Sequence, residues 1–168
     1  MARERVLNDL GASFSMLGVY SAARDAYLVV AATAQEQYMR WTAMINLLDL
    51  AADERREPVF EQYRRDLEDV ALPPSLATYY YYFVANGHRA FDRPLLAKVA
   101  VERAIELARE NKLGQWLLKA EALLDELQKD EVKQRGIAAR QNAESWSPEV
   151  LGIATRLSEL RTMAGVSG

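Results

Sequence analysis

Proline and glycine cut this chain at intervals of about one helix, and the residues between the cuts are nearly all helix formers. Only 5 Pro and 8 Gly occur in 168 residues, and Ala, Leu, Glu, Arg and Gln dominate the segments they bound. No run of alternating Val, Ile or Thr leads into a hairpin dipeptide, so nothing in the pattern calls for strands. The expected fold class is all-α.

The cuts place the helices. Leu7, Leu10, Phe14 and Leu17 recur at three- and four-residue steps, and Gly18 supplies a stop. Ser21 is the expected N-cap of a second helix with Ala23, Tyr27 and Val30 on one stripe. A third helix runs from about Gln35 to Ala52, with Met44, Leu47, Leu48 and Ala51 as apolar rows, and 53–56 form a turn. Glu57-Pro58 opens a fourth, because proline in the first helical turn removes an N–H that would be unpaired anyway. Pro73-Pro74 opens a fifth, closed at Asn86-Gly87; Asp92 and Pro94 open a sixth that reaches about Asn111. A seventh spans 114–135, buried along Trp116, Leu117, Ala120, Leu123 and Leu127. Residues 136–146 lose periodicity and are expected as a linker; Ser147-Pro148-Glu149 then starts a last helix through about Met163.

Composition excludes several kinds of function. Half of the residues are hydrophobic, enough for a core, and a net charge of -3 offers no general attraction to nucleic acid or anionic lipid. With Cys 0 and His 1, disulfides, thiolate catalysis, Cys-based zinc or iron–sulfur sites and a His-pair metal motif are excluded. Neither an apolar leader after Met1-Ala2-Arg3-Glu4-Arg5 nor a stretch of membrane-spanning length is evident, so the expectation is a cytoplasmic protein with no membrane partner. Walker loops, nucleophile elbows, dinucleotide fingerprints and helix-borne Glu-x-x-His motifs are missing, which leaves no catalytic residue, metal site or cofactor to name.

Aligning the second, fourth and sixth helices puts Ala23, Val59 and Ala97 at one position and Tyr27, Tyr63 and Val101 four residues on, in steps of 36 and 38. A small residue followed by a bulky one suits two antiparallel helices in close approach. The first 35 residues resemble a tetratricopeptide (TPR) repeat: Leu7 in the Trp position, Leu10-Gly11 and Phe14 in the first helix, Gly18 and Tyr20 at the turn, Ala23, Tyr27 and Val30 in the second. The closing proline is Gln35 here, and the second and third units, about 36–72 and 74–111, match more loosely. The resemblance implies stacked antiparallel hairpins over 1–135, with the seventh helix as cap, followed by the linker and a terminal amphipathic segment, 147–168. A closed helical bundle, in which the spacing reflects helix length plus loop, is the alternative.

The same resemblance implies a groove lined by the first helix of each pair. By position it would hold Asn8, Ala12 and Ser15, then Trp41, Met44 and Leu48 flanked by Arg40 and Asn46. Tyr79-Tyr80-Tyr81-Tyr82 point around most of a helix circumference, so not all can be core, and Tyr81 and Tyr82 are candidates to face the groove. His88, after Asn86-Gly87, is expected in a solvent-exposed loop. Arg55, Arg56, Arg64 and Arg65 are interleaved with acidic residues, which is ordinary helix-surface pairing and not a nucleic-acid patch.

The expected function is therefore non-catalytic: an adaptor or sensor module that binds a peptide or protein partner, similar to the repeat domains that bacterial transcriptional regulators carry. A structural scaffold is the alternative. There the terminal stripe of Val150, Ile153, Ala154, Leu157 and Leu160 assembles copies of the chain, as in a homodimer. An enzyme built on scattered carboxylates is a third possibility, and no spacing supports it.

Overall fold

The structure, a computed structural model, describes the backbone of residues 2–145 and 148–163 and the side chains of 3–140 and 148–163. Eight α-helices and no strand occur among the described residues. They are α1 (Ala2–Met16), α2 (Tyr20–Thr33), α3 (Gln37–Asp53), α4 (Glu57–Glu68), α5 (Pro74–Ala90), α6 (Pro94–Glu110), α7 (Gly114–Ser145) and α8 (Pro148–Met163). The chain divides into two units, Met1–Leu127 and Gln128–Gly168.

Prolines 58, 74 and 94 stand in the first turns of α4, α5 and α6, where the missing N–H breaks no helical bond. Helix ends follow a rule that is less visible in the letters. Gly18, Arg55, Asp92 and Lys112 all have positive φ, between 55° and 73°. Around each, two bonds close the preceding helix in the same way. Gly18 and Val19 N–H donate to the Ser15 and Phe14 carbonyls, and Arg55 and Arg56 to those of Ala52 and Ala51. Asp92 and Arg93 donate to Arg89 and His88, and Lys112 and Leu113 to Arg109 and Ala108. Each corner is a Schellman motif, and the first three recur at a strict 37-residue step. Glycine suits the left-handed corner at 18; at 55, 92 and 112 larger residues take the same conformation.

That step resets the repeat alignment. The equivalent positions are Ala23, Phe60 and Ala97, all fully buried, whereas Val59 is only half-buried. The Val59 alignment fails by one residue because a small residue was sought where the second unit carries a phenylalanine. Space for that ring comes from α5. A Cβ on Gly87 would lie 2.0 Å from Phe60 Cε2, so glycine is required there by contact. Gly87 therefore sits inside α5, and the helix ends at Ala90 and not at Asn86-Gly87.

Within the first unit α1 packs on α2, α2 on α3, α3 on α4 and α5, and α5 on α6. One core joins Ile45, Leu48, Phe60, Leu67, Tyr80, Val84 and Val101 to Ala120, Leu123 and Leu127 of α7. Two smaller clusters seat Leu47 and Leu50 on Ala23 and Tyr27, and Ala43 on Val30 and Ala34. Arg93 bridges Glu57 and Glu61, tying the start of α6 to α4.

In the second unit α7 continues through 136–145, where a linker was expected. Gly-Ile-Ala-Ala-Arg-Gln-Asn-Ala is rich in strong helix formers, and one interior glycine costs only about 1 kcal/mol. Loss of amphipathic periodicity removes the reason to bury a face, not the reason to be helical. Ser147, expected as the cap of α8, lies outside the described residues.

A candidate binding cleft

The first unit contains a cleft of about 360 Å³. Its walls are Arg5, Asn8 and Asp9 from α1, Tyr38, Met39 and Thr42 from α3, Ser75, Leu76 and Tyr79 from α5, and Trp116 from the start of α7. No residue of α2, α4 or α6 lines it. The 37-residue step explains the selection, because Arg5, Thr42 and Tyr79 are equivalent positions on successive first helices.

A hydrogen-bonded ladder crosses these helices. Asn46 Nδ2 donates to Asn8 Oδ1 at 2.8 Å, and the Tyr79 hydroxyl donates to Asn46 Oδ1 at 2.6 Å. Asn46 is 8% exposed, so its amide would be costly to bury without these partners. The ladder sets the spacing of α1, α3 and α5. Among the described residues, Asn8 Nδ2 and the second lone pair of the Tyr79 oxygen take no further hydrogen bond. Tyr79 is held by edge-to-face rings, Phe83 at 4.7 Å and Trp116 at 5.1 Å between centroids. Lys119 Nζ sits 4.6 Å from the centre of the Trp116 ring, a cation–π contact.

One turn beyond Asn46, Asp49 carries a carboxyl pushed up to about 8 by burial and by the neighbouring charge of Asp53. Its proximity in turn helps burial raise the Tyr79 hydroxyl and push Tyr27 up to about 12. The ring of Tyr27 reaches this region by crossing α1 at Gly11, where a Cβ would meet it at 2.5 Å.

Of the residues singled out from the sequence, Asn8 and Asn46 are brought together on this side. Arg40 is exposed, and its Nε donates to the Ala34 carbonyl, so it caps the C-terminus of α2. Trp41, Met44, Tyr81 and Tyr82 are half-buried against the main core. Ser15 is half-buried in α1, where its carbonyl accepts the Gly18 N–H, and Ala12 is exposed. Leu48 is core. None of these lines the cleft. Arg5, Asp9, Tyr38, Thr42, Ser75 and Trp116 escaped sequence reasoning, and the 37-residue register is the signal that groups several of them.

His88 is in α5, not in a loop: it is 6% exposed, its ring edge-on to Phe60 at 5.5 Å. Burial holds its imidazole below the usual range, and its Nδ1 has no hydrogen-bond partner among the described residues. A second cleft, about 520 Å³ between α6 and α7, is walled by Glu102, Glu106, Glu110 and Glu121 around Arg109. No group of acidic or histidine side chains among the described residues could hold a metal ion, and no described helix is long and apolar enough to cross a membrane. The chain matches no protein-family model, no curated protein and no solved structure.

Proposed function

We propose that the first unit is a TPR-like stack of helical hairpins that binds an extended peptide or protein segment in the cleft between its first helices and performs no chemistry on it. The observation that carries this is the lining: successive first helices, spaced by the Asn8–Asn46–Tyr79 ladder, present polar groups beside the aromatic faces of Tyr38, Tyr79 and Trp116. Tyr and Trp offer large contact area with few rotors, and the amide and hydroxyl fit peptide N–H and C=O groups. The recurring corner and the Ala23, Phe60, Ala97 row support stacking over a closed bundle. An adaptor or sensor role, of the kind served by repeat domains in bacterial transcriptional regulators, accords with such a cleft.

Panning a phage-displayed random dodecapeptide library against the wild-type protein and against Thr42→Arg, which fills the cleft, tests this. The expected result is a family of related peptides captured by the wild type and lost by the variant. Equal capture by both, or no enrichment, would refute the cleft reading.

A second reading, assembly with copies of itself through α8, is favoured by one specific observation. Every described residue of α8 is exposed, although Ile153, Leu157 and Leu160 form an apolar stripe along it.

A further inference from the structure

We infer that the groove between α6 and α7 is a docking surface for a cationic amphipathic helix of a partner protein. An equivalent groove earlier in the chain is closed by a helix. Leu28 of α2 and Leu47 and Leu50 of α3 wall it, and α4 closes it with Val59 and Tyr63. Tyr63 packs there on the cluster of Ala23, Tyr27, Leu47 and Leu50. Two 37-residue steps after Leu28, Leu47 and Leu50 stand Glu102, Glu121 and Leu124, and these wall the α6–α7 groove of about 520 Å³. Among the described residues its walls come from α6 and α7 alone. The helix that closes the first groove follows the corner at Arg55. Two steps after Arg55 comes Lys129, inside the continuous helix α7, so that corner has no counterpart here.

The differences between the two grooves specify the occupant. Leu28 and Leu47 share the closed groove with the apolar side chains of α4, whereas the open one has Glu102 and Glu121 in their places. Glu106 and Glu110 add two more carboxylates around Ile105 and Leu124. Among the described lining residues Arg109 is the only cation, and it pairs with Glu121 at 3.3 Å with both side chains open to solvent. Glu106 pairs with Arg103, while Glu102 and Glu110 have no ion pair among the described residues. Aliphatic surface borders these charges. Leu95 and Val99 continue the face of Glu102 and Glu106 toward the start of α6, 76% and 66% exposed. Leu118, 71% exposed, stands one turn before Glu121. Exposed aliphatic groups flanked by unneutralised carboxylates complement a helix whose apolar stripe is edged by Lys or Arg. Nucleic acid and anionic lipid carry the wrong sign.

Exposed ion pairs are weak one by one, so the carboxylates steer and orient the partner while the covered aliphatic surface holds it. All of the groove lies in the first unit. It shares no lining residue with the cleft between the first helices, so this inference is independent of the peptide cleft.

Calorimetric titration of a synthetic amphipathic helix of leucine and lysine into the full chain tests this, with sedimentation run alongside. The expected result is one peptide bound per chain, with affinity falling about tenfold or more in the double variant Glu102→Gln, Glu121→Gln. Affinity should be unchanged in Glu68→Gln, Asp69→Asn, which removes the same charge at the end of α4. A peptide of the same composition, scrambled so that its leucines no longer share a face, should bind about tenfold more weakly. Circular dichroism checks that each variant keeps its helicity. Equal weakening in both double variants, or equal affinity of the scrambled peptide, would reduce the effect to net charge. Loss of binding in Thr42→Arg would place the peptide in the other cleft. A wild-type dimer that the peptide dissolves would show a second copy covering the groove. No binding by the wild type would show the groove closed or inert. Each of these overturns the inference.

Discussion

Gly87→Ala isolates the contact on which the repeat register depends. In a helix interior the change should stabilise by about 0.8–1.0 kcal/mol, because alanine loses less backbone entropy. Here the new methyl would lie 2.0 Å from Phe60 Cε2 and 2.4 Å from Cζ, against a normal carbon–carbon contact of about 3.5–4.0 Å. The ring would have to retreat by about 1.5 Å to restore that distance. It is fully buried, with Phe91 at 5.3 Å and His88 at 5.5 Å between centroids. Overpacking of this kind costs about 1–3 kcal/mol, and driving the ring out of its site approaches the roughly 3–5 kcal/mol of a Phe truncation. Net of the propensity gain, the variant should lose about 1–3 kcal/mol, a fall in Tm of roughly 3–10 °C for a chain of this size. Urea and thermal unfolding followed at 222 nm measure it, with Gly136→Ala, where nothing lies within 4 Å, as the helical control that should lose nothing. Adding Phe60→Leu to Gly87→Ala should recover part of the loss. A Gly87→Ala protein as stable as the wild type would mean that Phe60 is not wedged there, and the 37-residue register would lose its main support.

Lys112 is exposed and holds a left-handed conformation at the α6–α7 corner, so Lys112→Gly should raise stability by about 0.5–1 kcal/mol; a drop in the urea midpoint would contradict the corner geometry. The raised Asp49 pKa gives a signed pH dependence. The folded value, about 8, lies above the ordinary aspartate value of 3.8. The fold therefore favours the protonated acid, and stability declines as pH rises between these values. Asp49→Asn should match the wild type near pH 4 and exceed it near pH 8 in parallel unfolding curves; a constant difference across that range would refute the shift. Asn46→Leu should strand the Tyr79 hydroxyl and Asn8 amide and destabilise by about 1–3 kcal/mol, and an unchanged Tm would show that the ladder contributes nothing.

Features governed by steric rules were legible from the sequence. Pro58, Pro74 and Pro94 mark helix starts because a ring without an N–H is admitted only there, and Gly18 marks a stop because glycine takes positive φ without strain. The other three corners carry Arg55, Asp92 and Lys112, whose identities announce no left-handed turn, so the 37-residue step stayed hidden. Sequence reasoning consequently assigned Gly87 to a stop, although it makes room for a ring. The same hidden step separates the groove expected from the sequence from the cleft described above. Asn8 and Asn46 were recognised on a first-helix face, but Trp41 and Met44 were assigned to the groove although they pack on the core. Thr42 and Trp116 line the cleft through tertiary placement that local pattern does not encode.

The repeated corner has a mechanical consequence. Every hairpin of the first unit turns between its two helices on the same pair of backbone bonds and is held to its neighbours by side-chain rows, so tension along the chain would meet one similar barrier after another. Each hairpin that gave way would release 37 residues, a length increment of about 120–130 Å when fully extended. A force–extension trace of this protein would be a short ladder of nearly equal rungs.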